Sequence, residues 1–307
     1  MDSLTFDLKP LPPFRLDLTI WALRRRRDNI VDRWDGMTYR RVLVLDGKPV
    51  EVAVVQKGKP DEPELAITAM GMQLSSGTGS ALAALLERML GIRVDVSGFY
   101  RLAQNDSRLE YLASQFRGLK PPRFPTLFEA LVNGIACQQV SLTQGIRLLS
   151  KLAATCGKTV EVQDSIAYAF PQPEDIAGLE PDAFRKLGFS RQKARALLEL
   201  AHKVTDEHVD LEKMITLNDD DALSRLCELR GVGRWTAEYV LLRGMGRLHV
   251  FPGDDAGARN KLRNWLGVEE KLDYKGVNSL IARWNPYGGF IYFHLLLNDL
   301  AQKGELQ

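Results

Sequence analysis

The chain has few cysteines and no long apolar run. Its 307 residues include three cysteines, Cys137, Cys156 and Cys227, which lie far apart and form no Cys-x-x-Cys pair. This excludes a disulfide framework and makes buried packing the expected role of the thiols. No apolar run approaches the ~20 residues needed to cross a bilayer, and the N-terminal segment lacks a signal peptide's apolar core. We therefore expect no membrane association and a cytosolic protein, or a nuclear one if the source is eukaryotic.

The sequence is also poor in net charge and in metal-ligand patterns. Lys and Arg number 41 against 39 acids, a net charge of +2, which is weak support for nucleic-acid binding by itself. Residues 225–263 are more basic, with eight Lys or Arg and four acids, and such local patches give affinity for a duplex. The four histidines show no ligand spacing, and we expect His294 to be a buried structural residue.

Residues 1–98 are predicted to form an N-terminal antiparallel β-sheet domain with one or two helices. A hairpin turn signal, Asp46-Gly47, separates two of the strands. A helix over 80–90 ends at Gly91. The arginine run at 24–27, in a short helix, is either a DNA contact or a solvated face. The predicted strands are 15–20, 39–45, 51–56 and 64–69.

Residues 99–307 are predicted to be all-helical. Thr126 has the character of an N-cap, with Glu129 completing a capping box, and residues 120–125 read as a linker. The sequence therefore predicts an α+β fold in which the sheet precedes a helical core. The predicted helices are 108–116, 127–137, 142–155, 173–177, 182–186, 192–205, 211–219, 221–229, 260–266, 275–283 and 290–302.

The stretch from 226 to 255 carries the most chemical information. Two predicted helices at about 222–243 form a hairpin, joined by the tight turn Leu229-Arg230-Gly231-Val232-Gly233. Two glycines allow close approach of the backbone, and they leave N–H groups bare at a helix N-terminus, where an anion is favoured. Two adjacent carboxylates, Asp254 and Asp255, follow in a loop. They could serve only as caps of the next helix, although capping would not explain the hairpin.

This layout resembles the helix-hairpin-helix DNA glycosylases. The similarity rests on Leu-x-Gly-Val-Gly-Arg-x-Thr-Ala at 229–237 and on an aspartate 22 residues after Gly233. Within that superfamily the chain is most similar to the AlkA-type 3-methyladenine DNA glycosylases II. The segment 128–141, the Trp284-x-Pro286 motif and His294 add to the resemblance, which is specific over about 120–300.

The resemblance implies a monofunctional N-glycosyl hydrolase that flips and excises alkylated bases from duplex DNA. It assigns catalysis to Asp255, whose carboxylate would stabilise charge on the sugar and orient water, with Asp254 as a cap or support. Trp235 and Tyr239 share a helix face and would stack on a cationic base. Bifunctional relatives carry a lysine at position 235, and tryptophan cannot form their imine.

The resemblance also implies how DNA is held. Gly231, Gly233, Arg234 and Thr236 would contact DNA at the hairpin, and Gln139 would fill the gap left by the flipped base. Gln139 could instead be an ordinary polar residue between helices. The family often holds a monovalent cation with hairpin carbonyls, here those of Cys227, Leu229 and Val232. No other cofactor is expected, and no cysteine follows Cys227 to hold an iron–sulfur cluster.

Two departures from the family pattern bear on substrate range. Leu296 and Leu297 stand where aromatics are usual, so the pocket wall should be less aromatic, and Gly288-Gly289 replaces a frequent arginine. An 8-oxoguanine-type glycosylase and a non-catalytic lesion-binding protein remain alternatives. The expected partners are duplex DNA with damaged bases and a downstream abasic-site endonuclease. The family suggests a monomer, associated with the nucleoid in a bacterium.

Overall fold

The computed structural model describes residues 2–75, 77–162 and 165–306. Within them lie a five-stranded antiparallel sheet, a two-stranded hairpin and a set of helices. The strands are β1 (Asp2–Leu8), β2 (Arg33–Trp34), β3 (Thr38–Leu45), β4 (Lys48–Lys57), β5 (Glu64–Gly71), β6 (Thr159–Val162) and β7 (Ser165–Tyr168). The α-helices are α1 (Leu16–Arg24), α2 (Thr78–Leu90), α3 (Ser97–Ala103), α4 (Ser107–Gln115), α5 (Leu127–Cys137), α6 (Leu142–Cys156), α7 (Pro173–Ala177), α8 (Pro181–Leu187), α9 (Arg191–Thr205), α10 (Asp219–Cys227), α11 (Arg234–Arg243), α12 (Ala256–Leu266), α13 (Tyr274–Ile281) and α14 (Gly288–Gln302). No described helix is long and apolar enough to span a membrane.

The large sheet has the strand order β1-β5-β4-β3-β2, with antiparallel pairing throughout. The predicted hairpin turn is confirmed: Asp46 and Gly47 both have positive φ angles, of 47° and 75°, between paired Leu45 and Lys48. Positive φ at both central residues matches the twist of the flanking strands. The edge strand β1 was not predicted, and it completes the sheet by pairing along β5.

The prediction of a strand over 15–20 is wrong, because this segment belongs to α1. Leu16, Leu18 and Ile20 do alternate with polar residues, but α1 is buried almost all round, including Thr19. In a helix buried on every side, hydrophobic alternation carries no information about period. Helix α1 packs against α14 and ends at Arg24, and its C-cap Arg25 has a left-handed φ of 63°.

The helical part follows the prediction with several differences, among them the unpredicted helix α3 and a start of α12 at Ala256 rather than at residue 260. It contains the hairpin β6–β7, so it is not purely helical, although the α+β class is confirmed. Residues 211–216 form a 3-10 helix that ends at Thr216. Helix α3 crosses the predicted boundary at residue 98, and one hydrophobic cluster contains side chains of both the sheet and α5, α6, α9 and α11.

The segment 120–125 is a buried crossing rather than a free linker. Lys120 and Phe124 are buried, and the Phe124 N–H donates to the carbonyl of Arg243 at 2.8 Å. The Lys120 ammonium donates to the carbonyl of Val94 at 2.7 Å. These bonds supply partners for polar groups that would otherwise be buried alone.

A buried ion network joins the sheet to α5. Arg41 of β3 pairs with Asp32 at 2.7 Å and with both carboxylate oxygens of Glu129 at 2.6 and 2.7 Å. Thr126 caps α5 as predicted, accepting from the Glu129 N–H, whereas the Glu129 carboxylate bonds to Arg41 instead of closing a capping box. Such a pair fixes geometry more than it adds stability. It anchors the first turn of a helix that reaches the candidate site.

Candidate active site

The hairpin predicted at about 222–243 is confirmed as α10, a tight turn and α11. Gly231 has a φ of 76°, and a β-carbon there would lie 2.8 Å from the Ala196 β-carbon, so the turn requires glycine. Gly233 precedes α11 with an extended backbone, and nothing lies within 4 Å of where its β-carbon would stand. Both glycines are exposed. The N-terminus of α11 is therefore open, as a phosphate clamp needs.

Arg234 begins α11 beside the open turn. Its guanidinium pairs with Asp254 at 2.6 Å and lies 3.8 Å from the centroid of the Tyr274 ring. Asp254 thus holds the Arg234 side chain, and the hydrogen bond between them, together with the charge of the carboxylate, raises the pKa of Arg234. The Arg234 side chain remains half exposed, so it can still reach a DNA backbone.

Thr236 does not fit the prediction of a DNA contact through its side chain. It is 1% exposed, and its hydroxyl accepts a hydrogen bond from Gln138 Nε2 at 2.8 Å. The same Nε2 donates to the carbonyl of Gly231 at 2.6 Å. Thr236 and Gln138 together tie the α5–α6 loop to the hairpin turn. The sequence did not indicate this role for Gln138.

Gln139 forms the tip of the α5–α6 loop. It is exposed and has a φ of 53°, a conformation that residues other than glycine adopt infrequently. The loop is held from below by Lys193, which donates to the carbonyls of Ala136 and Gln138 at 2.8 and 2.7 Å. Ser141 then caps α6 by accepting from Gln144 N–H. A short, anchored loop therefore presents one glutamine to solvent.

A cavity of about 330 Å³ opens between this loop and α11, α12 and α14. Trp235 and Tyr239 line it with ring centroids 5.9 Å apart. The structure thus brings together the two predicted base-stacking residues, with Asp255 in the same wall. The volume of the cavity is at the lower end of the ~300–1,000 Å³ that is typical of small-molecule sites. The remaining lining residues are Arg25, Cys137, Val140, Ser141, Leu142, Gly257, Ala258, Lys261, Tyr292 and Leu296.

Asp255 combines two roles. It is the N-cap of α12, and its Oδ1 accepts from the Ala258 N–H at 2.9 Å. The cap that the sequence could have assigned to Asp254 therefore falls on Asp255. Its Oδ2 has no hydrogen-bond or ion-pair partner within the described part of the chain. One carboxylate oxygen thus fixes the side chain, and the other is available at the cavity.

The cavity wall is more aromatic than Leu296 suggested. Tyr292 lies one helical turn before Leu296 on α14, and both line the cavity. Burial and, next, the nearby charge of Asp255 raise the pKa of the Tyr292 phenol. The phenol therefore stays neutral at physiological pH. The spacing of four residues from Leu296 was the signal that could have identified it.

Arg25 lines the cavity, a position that was not predicted from the sequence. Neither a solvated face nor an exposed DNA contact describes it, because its side chain is 4% exposed. Its guanidinium donates to the Tyr239 hydroxyl at 2.8 Å and to Asn133 Oδ1 at 2.6 Å. It therefore reaches from the end of α1 into the wall formed by α5 and α11.

The remaining titratable candidates are structural. His294 is fully buried, as predicted, and shares a hydrogen bond with the Phe290 carbonyl at 2.9 Å. Burial lowers its pKa to about 4, which keeps the ring neutral. In residues 2–75, 77–162 and 165–306, no group of three or more His, Cys, Asp or Glu side chains could hold a metal ion. The three cysteines are free thiols.

Comparison with known proteins defines the class of this fold and site. Residues 132–286 match the HhH-GPD superfamily base excision DNA repair proteins, and the chain belongs to that family. It is 28% identical over 201 residues to a DNA-3-methyladenine glycosylase of Bacillus subtilis, covering 66% of each chain. It is 26% identical to DNA-3-methyladenine glycosylase 2 of Escherichia coli, covering 79% of this chain and 82% of that one.

A solved structure agrees over nearly the full length. The 3-methyladenine DNA glycosylase from Archaeoglobus fulgidus superposes with a TM-score of 0.83 at 26% identity, covering 96% of this chain and 98% of that one. The helix-hairpin-helix family inferred from the hairpin and the aspartate spacing is thereby confirmed. The superposition extends over the N-terminal sheet, for which the family resemblance rested only on the order of elements.

Proposed function

We propose that the protein is a DNA glycosylase that excises alkylated bases in base excision repair. One observation carries the proposal: the cavity joins Trp235, Tyr239 and Asp255 directly beside the open hairpin. The relatives of Bacillus subtilis and Escherichia coli, both named 3-methyladenine glycosylases, support this substrate class. A pure lesion sensor would not need a carboxylate with an unpaired oxygen in the wall of the base cavity.

The residues suggest how a duplex is engaged. Backbone N–H groups at Gly231 and Gly233 would bind a phosphate, with Arg234 adding charge. Gln139, at the tip of an anchored loop, would enter the duplex as the damaged nucleotide turns out. A monovalent cation bound by the carbonyls of Cys227, Leu229 and Val232 would add charge beneath that phosphate. The Leu229 carbonyl already accepts from the Val232 N–H at 3.1 Å, which leaves it one lone pair for such an ion.

Catalysis would be electrostatic. As the glycosidic bond stretches, positive charge grows on the sugar, and the Asp255 carboxylate would stabilise it and orient the attacking water. An aromatic cavity from which the bound base excludes water would strengthen that interaction. A base that is already cationic leaves readily, so no strong general acid is required.

We further propose that the enzyme lacks lyase activity. Trp235 occupies the position of the imine-forming lysine in bifunctional members, which argues against an 8-oxoguanine glycosylase/lyase. Lys261 also lines the cavity, but its ammonium lies 3.7 Å from Asp299. The Lys261 side chain is thus engaged in an ion pair with α14. The product would then be an intact abasic site, passed to a separate endonuclease, and the enzyme would act as a monomer in the cytoplasm or nucleus.

The test is release of bases from methylated duplex DNA, followed by chromatography, for the wild type and Asp255→Asn. Release of 3-methyladenine by the wild type alone supports the proposal. DNA binding without release by either protein would favour a lesion sensor. A parallel reaction with borohydride, on the same DNA, tests the absence of lyase activity. A trapped covalent complex that disappears in Lys261→Ala would contradict it.

A further inference from the structure

A buried positive charge in the cavity wall bears on which bases the enzyme removes. Arg25 lines the cavity together with Trp235, Tyr239 and Asp255. Its two terminal nitrogens bond to neutral acceptors, the Tyr239 hydroxyl and the Asn133 amide oxygen. Among the described residues, no carboxylate oxygen lies within ion-pair distance of it. Its charge is therefore compensated only at longer range.

Arg25 also has hydrogen-bonding capacity left over. Its Nε is buried and has no hydrogen-bond partner. Buried donors without partners are costly and seldom retained without a reason. Because Arg25 lines the cavity, a ligand there that carries acceptor atoms or developing negative charge would compensate the charge of the guanidinium.

The scaffold holds this side chain in place at some conformational cost. Arg25 adopts a φ of 63° at the end of α1. Asn133, its amide partner, donates to the carbonyl of Glu129 at 3.0 Å, and Glu129 is paired with Arg41 of the sheet. The N-terminal sheet thus stabilises the helix face on which Arg25 rests. A second buried guanidinium, that of Arg243, lies 5.7 Å from the Tyr239 ring centroid on the protein side.

These charges act differently on two kinds of damaged base. A cationic alkylpurine entering the cavity would be repelled by Arg25, which opposes its stacking on Trp235 and Tyr239. An uncharged purine lesion would not be repelled. When its bond from C1′ to N9 breaks, the electron pair stays on the base, which becomes anionic beside Arg25. The oxygen of a water molecule then bonds to C1′, and the proton that this water loses passes to the anionic base.

We propose that Arg25 is a specificity-determining residue that favours uncharged, acceptor-bearing purine lesions over cationic alkylpurines. The proposal rests on the proposed glycosylase activity and concerns which damaged bases that activity prefers. Arg25 would bind the extruded base and stabilise the negative charge that builds on it as it leaves. Asp255 would stabilise the opposite charge on the sugar.

The experiment measures single-turnover excision of hypoxanthine, as the uncharged base, and of 7-methylguanine, as the cationic one. The proteins are the wild type, Arg25→Met, Arg25→Gln and, as the charge-preserving control, Arg25→Lys. The ratio of the two rates should fall about tenfold to a hundredfold in the Met and Gln variants, the size expected for one partly screened charge interaction. Lys should retain most of the wild-type ratio. Hypoxanthine excision should fall while 7-methylguanine excision holds or rises.

The ratio separates a specificity role from a structural one. Both rates come from one preparation, so loss of folded protein lowers them together and leaves the ratio unchanged. An unchanged ratio in both uncharged variants would overturn the assignment of Arg25 while leaving the glycosylase proposal intact. If the wild type excises neither base and releases no 3-methyladenine, the proposed function itself fails.

Discussion

Asp255 offers a prediction in which catalysis and stability can be separated by two substitutions at one position. Its Oδ1 caps α12 through the Ala258 N–H, and its Oδ2 is unpaired among the described residues. Asp255→Asn retains a side-chain oxygen for the cap, since Asn and Asp cap helices about equally well. Asp255→Ala removes both the cap and the charge. The two variants should therefore share a catalytic defect and differ in stability.

The magnitudes follow from the two contacts. Losing the cap costs about 0.5–2 kcal/mol, which lowers the melting temperature by about 1–3 °C in a chain of this size. This shift is expected for Ala and should be small for Asn. Losing one preorganised charge at the reacting centre costs about 3–4 kcal/mol, or roughly 100- to 1,000-fold in rate. Both variants should show that loss.

The assay pairs thermal unfolding with single-turnover release of 7-methylguanine at saturating enzyme, so that weaker DNA binding does not enter the rate. Equal activity in wild type and Asp255→Asn would refute the catalytic role of the carboxylate charge. A melting temperature of the Ala variant equal to that of the wild type would refute the capping role. An Asn variant as unstable as Ala would mean that the cap depends on the charge.

Three further predictions concern the hairpin, the loop and the buried histidine. Gly231→Ala should lower the free energy of unfolding by at least about 1 kcal/mol in denaturant titrations, given its positive φ and the contact with Ala196. Gly233→Ala should change the free energy of unfolding by no more than about 0.5 kcal/mol, because the new methyl group enters open space. It should weaken duplex binding, measured by fluorescence anisotropy, because a phosphate would bind in that space. Unchanged binding would contradict the phosphate clamp. Gln139→Ala should keep the melting temperature and slow excision about tenfold or more, since base flipping costs a few kcal/mol; wild-type rates would rule out an intercalating role. Burial lowers the pKa of His294 to about 4 in the folded state, against an ordinary value of 6.5. Its neutral form therefore contributes up to about 3 kcal/mol to the free energy of unfolding above pH 6.5, and this contribution is lost as the pH falls towards 4. His294→Gln should flatten that part of the pH–stability profile measured by denaturation.

Apart from Gln139, the parts of the site that were predicted from the sequence lie in one contiguous stretch. Turn geometry, helical spacing and one short loop relate the residues of this stretch, which are Gly231, Gly233, Trp235 and Asp255. Their types and spacing therefore indicated the site before the tertiary structure was known. Local signals also predicted the Asp46-Gly47 turn and the Thr126 cap. The side-chain partners of these residues, such as Gln138 for the Gly231 carbonyl, required the tertiary structure.

Segments buried on several sides were the ones misread. Helix α1 alternates like a strand but is buried almost all round, and the proline-rich 120–125 reads as a linker but crosses the core. The pattern of polar and apolar residues indicates secondary structure reliably only when one face of the element is exposed to water. The interpretation of residues 24–27 as a surface segment was wrong in part for the same reason. Four consecutive arginines indicate a surface, but Arg24 and Arg25 are both buried.

Arg25 shows why a motif can define the reaction while leaving its selectivity open. It lies 214 positions before Tyr239, the residue it bonds to, so no local pattern connects them. In the proposed mechanism, the hairpin and Asp255 fix where DNA is held and where positive charge on the sugar is stabilised. The charge around the departing base comes from elsewhere, through a side chain delivered by the end of α1. Because a buried charge acts over several ångströms at low dielectric, one distant arginine can change which bases leave most easily without altering the catalytic carboxylate.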